Sequence, residues 1–299
     1  MKVHFQTHQG LGIAMHKIAH FLLKYKPDGV EETSFSDCDI TIEHVIGDHW
    51  SNNSVHDKQL SARIKQKKFV LMWYCFECST DEIKTNKFFN WAMENALMVY
   101  TTLPLELYGF GERQNVVRGP LGYDHTVFEI DPEVERLNNS IMSTGYVSGT
   151  ECIEEAYHAC KKMGGTLFHV GHNFNWNQII YRQGEKLTDW QMKTLYCSAS
   201  FVSGLRREEG FEIPVLEGAA CGARPIVFNK PHYNWFRDFA FYIQEGNFRE
   251  VRDALTNILK QNISNDNILV TEEERKMIRE TFAWDVIAKR FWSELLERV

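Results

Sequence analysis

The sequence predicts an α/β protein built from two parallel-sheet domains. Three observations carry this expectation. Strand-like and helix-like segments alternate from one end of the chain to the other, the alternation falls into two series, and 299 residues suffice for two compact cores. Hydrophobic residues make up 43% and charged residues 24%, the balance of an ordinary globular protein.

The first series opens with a short strand over 2–6 and a turn at Gly10 and Gly12. A helix over 13–25 follows, because apolar residues at 14, 18, 21, 22 and 25 form one stripe. Strand-like runs come next at 40–42, 69–75, 97–101 and 116–117, with helical stretches between them. Such alternation predicts a parallel sheet covered on both faces. The second series begins with a strand over 141–147, and Ser148 with Glu151 fits a capping box for a helix running through 163. Strands are then expected at 166–171, 177–181, 199–204, 224–228 and 239–243. The polar stretch 131–140 separates the series, which places the domains at 1–135 and 136–299. The closing segment 284–299 reads as an amphipathic helix able to pack back on the first domain.

Bulk properties narrow the function classes. A formal net charge of -7 offers no general attraction for duplex nucleic acid, although it hides any local basic patch. Seven scattered cysteines read as reduced, mostly buried thiols of an intracellular protein. The opening MKVHFQTHQG has no apolar h-region, so no signal peptide is expected there. No run approaches the roughly 18 apolar residues that cross a bilayer. A cytoplasmic protein is expected, with peripheral contact to a membrane surface left open.

The most informative stretch is 203–229, SGLRREEGFEIPVLEGAACGARPIVFN. A strand runs into a loop holding Arg206, Arg207, Glu209, Gly210 and Phe211. Pro214 suits the first turn of a helix, and Gly222 is placed to cap its end before the next strand. The loop therefore sits at the carboxyl end of a parallel strand, where open α/β sheets bind ligands. Helix-start N–H groups attract phosphate oxygens, and Gly210 permits close approach. Glu217 offers two acceptor oxygens for a pair of ribose hydroxyls, and Glu209 can reach hydroxyls of a sugar. Arg206 and Arg207 can neutralise a pyrophosphate leaving group.

This run resembles the donor segment of the retaining family-4 glycosyltransferases of the GT-B fold, which reads roughly Glu-Gly-Phe-Gly-Leu-Pro-x-Leu-Glu-Ala. Here it is Glu209-Gly210-Phe211-Glu212-Ile213-Pro214-Val215-Leu216-Glu217-Gly218. The stretches 149–171, 187–204 and 280–296, together with Leu121-Gly122-Tyr123-Asp124 and Phe128, are also similar to segments of that family. The resemblance implies two Rossmann-like domains facing each other across a cleft, with the acceptor on the first and the nucleotide sugar on the second. It implies sugar transfer from a nucleotide-diphosphate sugar with retention of configuration, without cofactor or metal. Glu209 then takes a positioning and electrostatic role, and Glu217, Gly210, Phe211, Arg206, Arg207, Gly10 and Gly12 contact the donor. Two departures stand out. Residues 145–150 carry neither the Arg nor the Lys that the family places there to hold pyrophosphate, and Glu212 stands where Gly is usual. The alternatives are a nucleotide-sugar binding protein that has lost catalysis and another GT-B reaction such as nucleotide-sugar epimerisation.

Weaker signals have plain readings beside them. A simple strand-to-helix turn also explains Gly10 and Gly12. His44 is a candidate contact for sugar or acceptor, and a solvated loop histidine fits equally. His16 and His20 share a helix face but have no partner at ligand spacing, so no metal is expected. Cys75 and Cys78 read as ordinary thiols. The basic run 63–68 is a solvated helix end or a contact for an anionic acceptor. The acceptor stays open among glycan, glycolipid, small molecule, protein and modified nucleic acid.

Overall fold

The computed structural model describes residues 1–6, 13–45, 61–74, 87–104, 113–145, 148–171, 187–207, 210–262 and 269–299. Contacts divide the chain into two compact units. One comprises 1–122, 208–211 and 284–299, and the other 123–207 and 212–283.

The first unit is a six-stranded sheet with β1 at Lys2–Phe5, β2 at Glu31–Glu32, β3 at Ile40–Val45, β4 at Lys68–Trp73, β5 at Met98–Thr101 and β6 at Val116–Arg118. Its order is β2-β1-β3-β4-β5-β6, and every pairing is parallel. Helix α1 spans Ile13–Lys24 and α2 spans Lys87–Asn95. The central strand shows why the sequence reads as it does. Phe69, Val70, Leu71, Met72 and Trp73 are all buried, so both faces are covered and no polar alternation survives. Phe69, Leu71 and Trp73 pack with Phe89, Ala92 and Met93 of α2 on one of those faces. The edge strand β2 was not expected. Its two glutamates are exposed, carry no β signal and suit an edge that must not pair further.

The second unit is a five-stranded sheet with β7 at Leu137–Gly145, β8 at Thr166–Gly171, β9 at Ala199–Gly204, β10 at Arg224–Phe228 and β11 at Phe241–Ile243. Its order is β11-β10-β9-β7-β8, again parallel throughout. Three strands, β8, β9 and β10, have the bounds read from sequence. Its described helices are α3 Ser148–Glu151, α4 Ile153–Lys162, α5 Asp189–Ser198, α6 Ile213–Ala220, α7 Phe248–Asn262 and α8 Glu272–Phe282, and α9 at Trp284–Leu296 follows them in the chain but belongs to the first unit. The expected strand over 177–181 lies outside the described residues.

Two expectations change. The single helix over 148–163 is broken at Cys152, which takes a left-handed conformation with φ 50° and ψ 32°. Residues 123–135 belong by contact to the second unit, so the division falls after Gly122 and not near 135. The cause is long-range packing. The Tyr123 amide donates to the Phe282 carbonyl at 3.0 Å, and the Phe128 ring meets Tyr196 edge-on at 5.9 Å. Helix α9 lies in the first unit, where Trp292 Nε1 donates to the Leu22 carbonyl at 2.8 Å and Trp284 stacks on Phe21 at 5.4 Å.

Candidate functional site

In an open parallel sheet, ligands bind outside the carboxyl ends of the strands where the strand order reverses. In the second unit that point lies between β7 and β9, whose last residues are Gly145 and Gly204. Chain leaving β9 passes Arg206 and Arg207 before α6 begins, and α6 packs hard against the strand. At Gly218 an added Cβ would lie 2.7 Å from Val202 Cβ, so only glycine allows this approach. Pro214 occupies the first turn of α6, and Gly222 closes it with φ +91°, a left-handed value that other residues adopt at a cost.

Glu217 sits inside α6 and is only 5% exposed. Tyr196 of α5 donates its hydroxyl to Glu217 Oε2 at 3.2 Å. Burial, and then the Glu217 carboxylate, hold the Tyr196 phenol well above its usual range, so it stays protonated and keeps donating. The result is a carboxylate fixed in direction by a neutral partner.

Arg206 and Arg207 emerge at the switch point already engaged. Arg206 Nη1 binds Glu151 Oε1 at 2.7 Å, and its Nε lies 2.8 Å from Glu212 Oε1. Its Nη2 donates to the carbonyl and hydroxyl of Thr144, at the end of β7. Arg207 faces Glu155 at 3.6 Å and Glu245 at 3.3 Å, and its Nε donates to the Gly149 carbonyl. Burial raises the Glu155 carboxyl above its usual range, with Arg207 acting against that rise. Lys230 joins through Glu245 at 2.7 Å and the Arg207 carbonyl. Three cations thus meet four carboxylates, Glu151, Glu155, Glu212 and Glu245. The break at Cys152 serves this arrangement, because Glu151 before it reaches Arg206 and Glu155 after it reaches Arg207.

The other sequence-derived residues are distributed as follows. Gly210 and Phe211 are buried and by their contacts group with the first unit. Glu209, Gly10 and Gly12 lie outside the described residues, as do Cys75 and Cys78. His44 is at the carboxyl end of β3 in the first unit, 7% exposed, with Nδ1 hydrogen-bonded to the Tyr74 hydroxyl at 3.3 Å. It is a buried histidine and not a solvated loop residue. His16 and His20 are exposed on α1. Two members of the basic run turn inward: Arg63 pairs with buried Glu43 at 2.9 Å, and Lys67 donates to the carbonyls of Ser36 and Cys38.

Sequence reasoning missed Tyr196, Lys230 and the carboxylates that hold the two arginines, since nothing local marks partners that lie tens of residues away. A cavity of about 710 Å³ also opens in the second unit between the 123–130 segment and α8, lined by Tyr123, His125, Glu272 and Arg275 among others. None of the switch-point side chains lines it. Among the described residues, no group of three His, Cys, Asp or Glu side chains is placed to hold a metal, and no helix is long and apolar enough to cross a membrane.

No protein-family model matches the sequence, and no curated protein matches it. Solved structures do. The Anabaena protein HepE, in complex with UDP and glucose, superposes with a TM-score of 0.73 at 13% identity, covering 100% of this chain and 99% of that one. The same protein with UDP-glucose gives a TM-score of 0.74 at 12% identity, covering both chains completely. The chain has the GT-B fold. Sucrose-phosphate synthase from Thermosynechococcus elongatus is similar over 88% of this chain and 75% of its own, at 13% identity and a TM-score of 0.65. A glycosyltransferase from Rickettsia africae matches 98% of this chain and 84% of its own, at 12% identity and a TM-score of 0.63.

Proposed function

We propose that this protein is a glycosyltransferase that moves a sugar from a nucleotide-diphosphate sugar to an acceptor. The observation that carries the reading is the end-to-end likeness to a chain solved with UDP-glucose, combined with a buried carboxylate at Glu217 in α6 that Tyr196 orients. In this reading Glu217 grips the ribose hydroxyls, Gly210 and Phe211 line the donor loop, and Glu209 positions the sugar. Gly10 and Gly12 are further donor-binding residues in this reading, and His44 contacts sugar or acceptor. Transfer retains anomeric configuration and uses neither metal nor cofactor, with cationic side chains and helix-start amides taking the leaving-group charge. A hexose is the transferred group, and the protein works in the cytoplasm or at the face of a membrane.

The engagement of Arg206 and Arg207 by carboxylates favours a second reading, a nucleotide-sugar binding protein without transfer. Calorimetry and thermal shift against UDP-, GDP-, ADP- and TDP-sugars test the donor site, with Glu217→Ala as control. Stabilisation of the wild type alone is expected, and no response to any donor would sink both readings. Turnover of the bound donor then separates them. Glu209→Ala should cut it by about 10²-fold or more if the protein is an enzyme, and a binder has none to lose.

A further inference from the structure

We propose that Glu212 and Glu151 form a carboxylate clamp on Arg206 that sets how tightly the second unit takes a nucleoside diphosphate. An entering phosphate exchanges the Arg206–Glu212 ion pair for an Arg206–phosphate pair. The inference rests on the donor-site reading above and adds a determinant of affinity to it.

The geometry is specific. The Arg206 side chain is 17% exposed and lies between carboxylates that are 11% and 3% exposed, at 2.7 and 2.8 Å. Both contacts close over the ends of β7 and β9, because the same guanidinium bonds Thr144 at the end of β7. A guanidinium offers five N–H donors in a fixed plane, and this one donates to Glu151 and to a strand end while Glu212 Oε1 faces its Nε as an ion pair. A phosphate at the switch point therefore meets a cation whose charge is already answered twice, and in a poorly solvated place the like-charge contact with Glu212 is not screened away. Glu212 is the arm positioned to yield. It is the residue before α6 but makes no side-chain cap to that helix, so releasing Arg206 costs the helix no capping bond. Glu151 instead packs against the end of β7, where a Cβ on Gly145 would overlap its carboxylate. It therefore stays to hold the guanidinium in place.

Neutralising Glu212 while keeping its shape should tighten binding. We expect Glu212→Gln to lower the dissociation constant for UDP-glucose, UDP or inorganic pyrophosphate by about tenfold, the scale of one competing ion pair. The gain should vanish in the Arg206→Gln, Glu212→Gln double variant, a non-additivity that a merely structural role would not produce. Glu151→Gln provides a second variant expected to shift affinity in the same direction, should Glu212→Gln fail to fold. Calorimetry on the full chain reads all of these, with thermal unfolding reporting the fold. Binding by the wild type with no gain in either folded single variant overturns the clamp and leaves the donor site standing. Absence of binding by wild type and variants alike overturns the donor-site reading, and the clamp with it.

Discussion

At the scale of single residues, the second unit places its charges in pairs that burial makes expensive to break. Glu217 and Tyr196 illustrate this. Glu217→Ala removes the acceptor and leaves a buried phenol hydroxyl without it, which should cost about 1–3 kcal/mol of stability in addition to donor binding. Tyr196→Phe should cost less, about 1 kcal/mol, while loosening the carboxylate. Urea unfolding measures both, and a Glu217→Ala variant as stable as the wild type would count against a coupled pair. Glu274 supplies a pH test. Burial alone would raise its carboxyl, but hydrogen bonds from Arg224 and from the Thr271 amide outweigh that and hold it below the ordinary value of 4.5. A depressed carboxyl contributes stability above its unfolded value and loses it as pH falls through the folded one. Glu274→Gln should therefore destabilise the protein by about 1–2 kcal/mol at neutral pH and by progressively less in acid. Unfolding free energies across that range check the sign.

At the scale of elements, the short helix α6 depends on two glycines with different duties. Gly218 lets the helix touch β9, and Gly222 turns the chain out of it. Gly222→Ala must adopt φ near +91° and bring its methyl within 2.9 Å of Arg136 Nη2 and 3.1 Å of Ile130 Cδ1. A loss of about 1–3 kcal/mol is expected, read as a lower unfolding midpoint with unchanged denaturant slope. No loss would mean the turn relaxes into another cap. The break at Cys152 belongs to the same scale. The helical pattern over 148–163 read locally suggests continuity, yet the chain inserts one left-handed residue and directs Glu151 and Glu155 to different arginines.

At the scale of the whole molecule, the chain returns to its first unit at the end. Helix α9 inserts Trp284, Phe291 and Trp292 there, all essentially buried. Removing 284–299 should strip the first unit of these anchors, and Trp292→Ala alone should cost about 3–5 kcal/mol. Hydrogen exchange would then accelerate in β1, β3, β4 and β5 while the second sheet keeps its protection. Equal loss of protection in both sheets would contradict the assignment of α9 to the first unit.

Much of this was legible in the one-dimensional order. Strands such as β9 and β10 are continuous apolar runs because a buried parallel strand has no solvent face, and a window of a few residues suffices to see that. Pro214 and Gly222 announce the bounds of α6 through their own backbone preferences, and with them the place of Glu217. What tertiary structure decided is partnership. Arg206 and Glu151 are 55 residues apart, and only the parallel order β9-β7 brings the ends of their strands together. The same holds for the 123–135 segment, whose allegiance is settled by Phe282 and Tyr196, and for β2, a two-residue strand made by its neighbour. Local periodicity depends on sequence neighbours, whereas an ion pair depends on which strands lie side by side, and the second is a property of the folded sheet.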